Sequence, residues 1–147
     1  ARVLDAFAGS GAMGMEMLSR GACFAAFFDI DRQAAGLVRK NLESMGCAGA
    51  RYRVTSGDVL AMSTRGRLFG APFNLVILDP PYDFDPADVS AFVERLAASG
   101  SLADDALVLY EHASAKPGLD PLGFIEERDK RYGSTSVQLL RRSTEVE

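Results

Sequence analysis

Apolar positions in this chain fall into short runs separated by amphipathic stretches. Residues 2–7 (RVLDAF), 23–28 (CFAAFF), 51–55 (RYRVT), 74–78 (NLVIL) and 106–110 (ALVLY) read as strands, too short to be lone helices. Between them the apolar residues recur with the helical period. Met13, Met17 and Leu18 mark a helix over residues 12–20. Leu37, Val38, Leu42 and Met45 mark one over 32–45, with Asp31 as its N-cap. Val89, Phe92, Val93 and Leu96 mark one over 86–98. Gly21 and Gly46 stand where the first two should stop. Residues 124–131 and 136–141 flank Tyr132-Gly133-Ser134 and predict an antiparallel pair. Strands alternating with helices predict an α/β fold: a Rossmann-like, mostly parallel seven-stranded sheet with helices on both faces and a C-terminal hairpin. One domain over residues 1–147 accommodates all of it, since the only linker-like stretch, residues 114–121, is too short to separate two.

Composition narrows the picture. Apolar residues make up 48% and charged residues 24% of the 147, which excludes a disordered or collagen-like chain. No apolar run approaches the roughly 20 residues of a membrane helix. Cys23 and Cys47 offer neither a disulfide framework nor metal-ligand spacing, which suits a reducing cytoplasm. The expectation is a cytoplasmic monomer without a metal. Ala1 opens the chain in place of Met and a strand follows at once, so a preceding segment is also expected. The net charge of −4 is uneven: residues 1–74 carry +3 and residues 75–147 carry −7. Two basic clusters stand out, Arg51/Arg53/Arg65/Arg67 and Arg128/Lys130/Arg131/Arg141/Arg142. Either alone is more simply a solvated face.

The candidate chemistry lies where parallel strands end, which is where open sheets of this kind bind ligands. Gly9-Ser10-Gly11-Ala12-Met13-Gly14 satisfies G-x-G-x-x-G between a strand and a helix, and Asp29 follows Gly9 by 20 residues at the next strand end. Such glycines admit a ligand close to the backbone, and an acid there accepts from ribose hydroxyls. The pattern specifies an adenosine-containing cofactor. Asp5, in the strand just before the glycines, would repel a pyrophosphate and attract a methionyl ammonium, which favours S-adenosylmethionine over NAD. Its competing role is to cap the loop backbone. Phe7, Ala8 and Ile30 flank these positions. Asp58, followed by Val59, could accept from the adenine amino group, although a lone Asp after a strand is more often an N-cap.

Asp79-Pro80-Pro81-Tyr82 follows the apolar run 75–78. Two prolines fix the backbone, so the Asp79 carboxylate and the Pro80 carbonyl can face one spot. Two acceptors together suit a planar NH2 group, and the Tyr82 ring offers a stacking face.

The segment DAFAGSG at residues 5–11 followed by DPPY at 79–82 resembles the class I S-adenosylmethionine-dependent amino-methyltransferases. Within them the chain is most similar to the RsmD-type family, the 16S ribosomal RNA guanine-N2 methyltransferases. Residues 14–22 (GMEMLSRGA), 29–32, 40–42, 110–112 (YEH) and 130–135 (KRYGST) carry that finer likeness. The resemblance implies methyl transfer to the exocyclic N2 of a guanine in ribosomal RNA or the assembling small ribosomal subunit, with Lys130 and Arg131 on RNA phosphates. It also implies an N-terminal extension with an Arg-rich stretch that helps close the cofactor site. Alternatives are methylation of adenine N6, cytosine N4 or a protein glutamine, and, more remotely, an NAD-dependent oxidoreductase. Against the last, none of the four tyrosines has a lysine four residues on. His112 reads as a strand-end histidine with no catalytic partner.

Overall fold

The computed structural model describes residues 1–81 and 83–143. Seven strands, β1 (Arg2–Asp5), β2 (Phe24–Asp29), β3 (Tyr52–Ser56), β4 (Phe73–Leu78), β5 (Leu102–Ala113), β6 (Phe124–Tyr132) and β7 (Thr135–Arg142), form one sheet in the order β3-β2-β1-β4-β5-β7-β6. β1 to β5 run parallel, and β7 lies antiparallel between β5 and β6. The expected α/β architecture with an antiparallel C-terminal pair is therefore the observed one. Chain order reverses at β1, between β2 and β4, and such a switch point opens a crevice above the strand ends.

Helices α1 (Ala12–Ser19), α2 (Arg32–Ser44), α3 (Val59–Ser63) and α4 (Pro86–Ala98) cover both faces. Leu18, Val38 and Leu42 from α1 and α2 pack on Val3, Ala25, Phe27 and Ile77 of one face. Val59, Val89, Phe92, Val93 and Leu96 from α3 and α4 pack on Leu4, Ala26, Phe28, Val76 and Leu78 of the other. The two lists alternate along β1, β2 and β4, as strands buried on both faces require. Asp31 caps α2 by accepting from the Gln33 N–H, and Asp85, followed by Pro86 in the first turn, caps α4 through the Ala87 N–H.

Three departures from the sequence pattern have physical causes. The first strand ends at Asp5 rather than residue 7, because the chain turns into the glycine loop there. α3 has only five residues, too few to show a helical period. β5 runs for 12 residues although the apolar run covers five, because its start pairs with β4 at Phe73↔Leu102 and its outer end is paired by β7 through Ala113↔Thr135. The stretch 114–121 is no free linker. Gln138, buried on β7, accepts from the Leu119 N–H at 2.7 Å and donates to its carbonyl at 2.9 Å. Among the described residues no helix is long and apolar enough to cross a membrane.

α1 approaches the sheet most closely at Gly14. A Cβ there would stand 2.3 Å from Cε2 of the buried Phe27. Gly14→Ala is therefore expected to force α1 off β2 and destabilise the fold by about 1–3 kcal/mol, the usual cost of overpacking. Urea unfolding of the two proteins checks this, and equal midpoints would show that the helix has room to shift.

Candidate active site

The ends of β1, β2, β4 and β5 and the start of β7 surround one cavity of about 780 Å³. Asp5, Phe7, Ala8, Gly9, Asp29, Ile30, Asp58, Val59, Asp79 and Pro80 all line it. Residues scattered over 75 positions of sequence thus meet at the switch point. Tyr82 lies outside the described residues.

The glycine loop is built in steps. The Ala8 N–H donates to the Phe28 carbonyl at 2.8 Å, tying the loop to β2. The Gly9 N–H donates to Asp29 Oδ2 at 2.8 Å, and the Asp31 N–H donates to Oδ1 at 2.9 Å. Asp29 is thereby oriented by two backbone donors, with lone pairs left on each oxygen for ligand hydroxyls. A Cβ on Gly9 would meet nothing within 4 Å, so the space above the loop is open to a ligand. Gly11 differs. It is not part of the cavity lining; it caps α1 in the left-handed conformation (φ 79°) and packs under Met15 and Val38. Its contribution is the shape of the turn.

Asp5 is 3% exposed, and its Oδ2 accepts from the Gly14 N–H at 3.2 Å. Burial, with a smaller contribution from the charges of Asp79 and Asp29, lifts its carboxyl to about 6 against the lowering effect of that bond. The capping role and the cavity role coexist, since Asp5 also lines the cavity. Asp58 likewise does both: its side chain caps α3 through the Leu60 and Ala61 N–H groups while it lines the cavity beside Val59. Ile30 is 74% exposed and offers an apolar edge at the mouth. Asp79 stands beyond β4 with its carboxyl raised by burial.

These residues fit S-adenosylmethionine. An open glycine loop, an oriented carboxylate at Asp29 and a concentration of negative charge at Asp5 and Asp79 suit a cationic nucleoside, whereas a pyrophosphate would meet the Asp5 carboxylate.

The comparisons agree with that geometry. The family model described as "Conserved hypothetical protein 95" matches residues 1–141. The chain is 34% identical over its whole length to Ribosomal RNA small subunit methyltransferase D of Escherichia coli K12, spanning 71% of that protein. It is 31% identical over 94% of its length to the Haemophilus influenzae protein of the same name, spanning 70% of it. The chain belongs to this family. Solved structures follow suit. A Haemophilus influenzae structure superposes with a TM-score of 0.86 at 29% identity, covering 97% of this chain and 87% of that one. An Escherichia coli structure gives 0.84 at 31%, covering 99% and 78%. As a member of this methyltransferase family the chain is an enzyme, and its cofactor is S-adenosylmethionine.

Among the cavity-lining residues that the sequence pattern does not place there are Phe84, Glu111, His112 and Thr135. Phe84 packs edge-on against Phe7, with ring centres 5.4 Å apart. His112 has a side chain only 5% exposed; it stacks on Tyr110 and its Nε2 lies 3.2 Å from Asp129 of β6. That long-range pairing ties the cavity wall to the edge strand. Only the extra length of β5 brings Glu111 and His112 to the site, and nothing in the local pattern marks it.

The basic clusters resolve differently from each other. Arg51 donates to the Leu18 and Ala22 carbonyls, Arg67 to those of Gly100 and Ala71, and Arg142 to Leu102 and Ala103. Arg141 pairs with Glu127. These arginines serve the fold. Lys130 and Arg131 are exposed at the end of the edge strand β6.

The raised Asp5 carboxyl makes stability depend on pH with a definite sign. Its ordinary value is 3.8 and its folded value about 6, so the folded state holds the proton longer. Stability should therefore fall as pH rises from about 4 to about 6 and stay level above, by about 3 kcal/mol from this group. Asp5→Asn should remove that part of the slope. Denaturant titrations at several pH values measure it, and parallel curves for both proteins would refute the assignment.

Proposed function

We propose that this protein transfers the methyl group of S-adenosylmethionine to the exocyclic N2 of a guanine in small-subunit ribosomal RNA, in the cytoplasm, on naked RNA or on an assembling subunit. The observation that carries this reading is the position of the Asp79-Pro80 pair: it lines the same cavity as the glycine loop and Asp29, at the end of the next strand. The names of the relatives support the ribosomal RNA substrate. The placement at N2 of guanine, at the position numbered 966 in 16S RNA, extends the family likeness further.

In this reading Gly9 and Asp29 hold the nucleoside, with Ile30, Asp58 and Val59 around its base, and Asp5 faces the methionyl end. The cofactor supplies an electrophilic methyl group on a sulfonium. The amine of guanine is a poor nucleophile because its lone pair is delocalised into the ring. The Asp79 carboxylate and the Pro80 carbonyl accept its two hydrogens, turn the lone pair out of conjugation and stabilise the positive charge growing on nitrogen. Burial lifts the Asp79 carboxyl, which makes it a better acceptor for the proton released late in the reaction. Tyr82, assigned from the sequence motif, stacks on a base turned out of its RNA surroundings. Lys130 and Arg131 hold phosphates at the β6–β7 hairpin, whose far side adjoins the cavity through the Ala113↔Thr135 pair.

Asp79→Ala should leave cofactor affinity nearly intact and slow single-turnover transfer by about 10²–10³, because its partner's charge develops only in the transition state. Calorimetry beside rapid-quench kinetics separates the two effects. Lost affinity with an unchanged saturated rate would move Asp79 into the cofactor pocket and overturn the catalytic assignment.

Replacing Lys130 and Arg131 together by Ala should weaken RNA binding and flatten its dependence on salt by up to about two units of logarithmic slope. A filter-binding series from low to moderate salt reads the slope. An identical slope would mean that the hairpin touches no phosphate.

A further inference from the structure

Two carboxylates stand side by side at the end of the sheet, where the sequence motif supplies one. Leu78 of β4 is the register partner of Tyr110 of β5. The next residues outward, Asp79 just past the end of β4 and Glu111 within β5, are therefore neighbours across the β4–β5 pair, whose strands lie about 4.8 Å apart. Alternation turns Glu111, which follows the core residue Tyr110, to the α1 side, where Asp5 lies, and the charge of Asp79 acts on both Asp5 and Glu111. Asp79 and Glu111 both line the cavity. Among the described residues neither carboxylate has a hydrogen bond or ion pair, although His112, the next residue along β5, is engaged with Asp129. Burial, and then the charge of Asp79, raises the Glu111 carboxyl above its ordinary range. Two neighbouring acceptors of like charge are costly unless a ligand donates to both.

The base edges that carry an exocyclic amine differ in what lies beside it. In guanine the ring nitrogen next to the 2-amino group is N1–H, a donor. In adenine and cytosine the corresponding ring nitrogen, N1 or N3, carries a lone pair. With Asp79 on the amine, a carboxylate on the adjoining strand meets a donor in guanine and a lone pair in the other two. We propose that Glu111 is the specificity-determining residue of this enzyme: it accepts the N1–H of guanine while Asp79 holds the 2-amino group, and it rejects adenine and cytosine by lone-pair repulsion. This rests on the guanine-N2 reading above and gives it a structural cause independent of the DPPY motif, which amino-methyltransferases of several substrates share.

2-Aminopurine separates the two contacts. It keeps the 2-amino group and has a lone pair at N1. The experiment measures single-turnover transfer by the full chain to small-subunit RNA. The wild-type target guanine is first mapped by nucleoside mass spectrometry, then replaced by 2-aminopurine in a ligated RNA. Wild type should prefer guanine by about 10–100-fold, the usual value of one well-placed base contact. Glu111→Gln should bring the two rates within about threefold, because its amide can donate to the lone pair or accept the N1–H. Glu111→Ala should slow guanine transfer and leave the 2-aminopurine rate unchanged or faster. Cofactor titration of each variant, expected within twofold of wild type, reports that the site is folded. If wild type methylates guanine and Glu111→Gln keeps the full preference, Glu111 does not read N1–H and the proposal is overturned while the guanine reading stands. If wild type methylates adenine or cytosine in the RNA and no guanine, both are overturned.

Discussion

The site depends on how closely α1 can sit on the sheet. At Gly14 the helix backbone reaches the ring of Phe27, with no side chain between them. The same approach lets the Gly14 N–H bond to Asp5, a carboxylate that would otherwise be buried without a partner. A helix set further out would strand that charge and open the loop. Seated as it is, α1 presents its first turn to the cavity, and Gly11, packed under Met15 and Val38, bends the chain so that Gly9 reaches Asp29. Packing, hydrogen bonding and ligand space are thus settled by one contact.

Charge is arranged around this contact in two zones. The cavity concentrates carboxylates, Asp5, Asp29, Asp58, Asp79 and Glu111, and rewards a cationic nucleoside or a base edge rich in N–H groups; the charge of Asp79 adds to burial in raising Asp5 and Glu111. Among the described lysines and arginines only Lys116 lines it. Arg51 and Arg67 donate to backbone carbonyls at the end of α1 and in the turns at residues 70–71 and 100, and Arg142 to those at the start of β5, satisfying acceptors that need partners. The exposed cations of the second cluster sit at the hairpin, one strand beyond the wall of the cavity. A nucleic-acid substrate with its phosphates outside and one base inside matches that division, and it explains how a chain of net charge −4 can serve such a substrate.

β5 and β7 form the structural link between the zones. The outer residues of β5 would be an unpaired edge without β7, and β7 is itself held by Gln138 through the segment 114–121. His112 adds a side-chain tie from β5 across to Asp129 of β6. The wall carrying Glu111 is consequently fixed by long-range contacts on both sides, which is what a residue must have to discriminate by geometry.

The sequence by itself determined the α/β class, the order of nearly all elements, the cap at Asp31, the glycine loop with Asp29, and the DPPY segment. Each of these is a local pattern: a period, a spacing or a turn chemistry that acts over a few residues. What only the tertiary structure decided is everything set by register between distant strands. It decided that Gly11 shapes the turn without lining the cavity, and that Asp58 caps α3 and borders the cavity at once. It decided that Arg51, Arg67 and Arg142 answer backbone carbonyls and Arg141 a carboxylate. Above all it set Glu111 beside Asp79, 32 positions away in the chain, through the β4–β5 register. No local signal encodes that neighbour, because parallel pairing is fixed by packing of whole strands between two helical layers and not by the residues that end up adjacent.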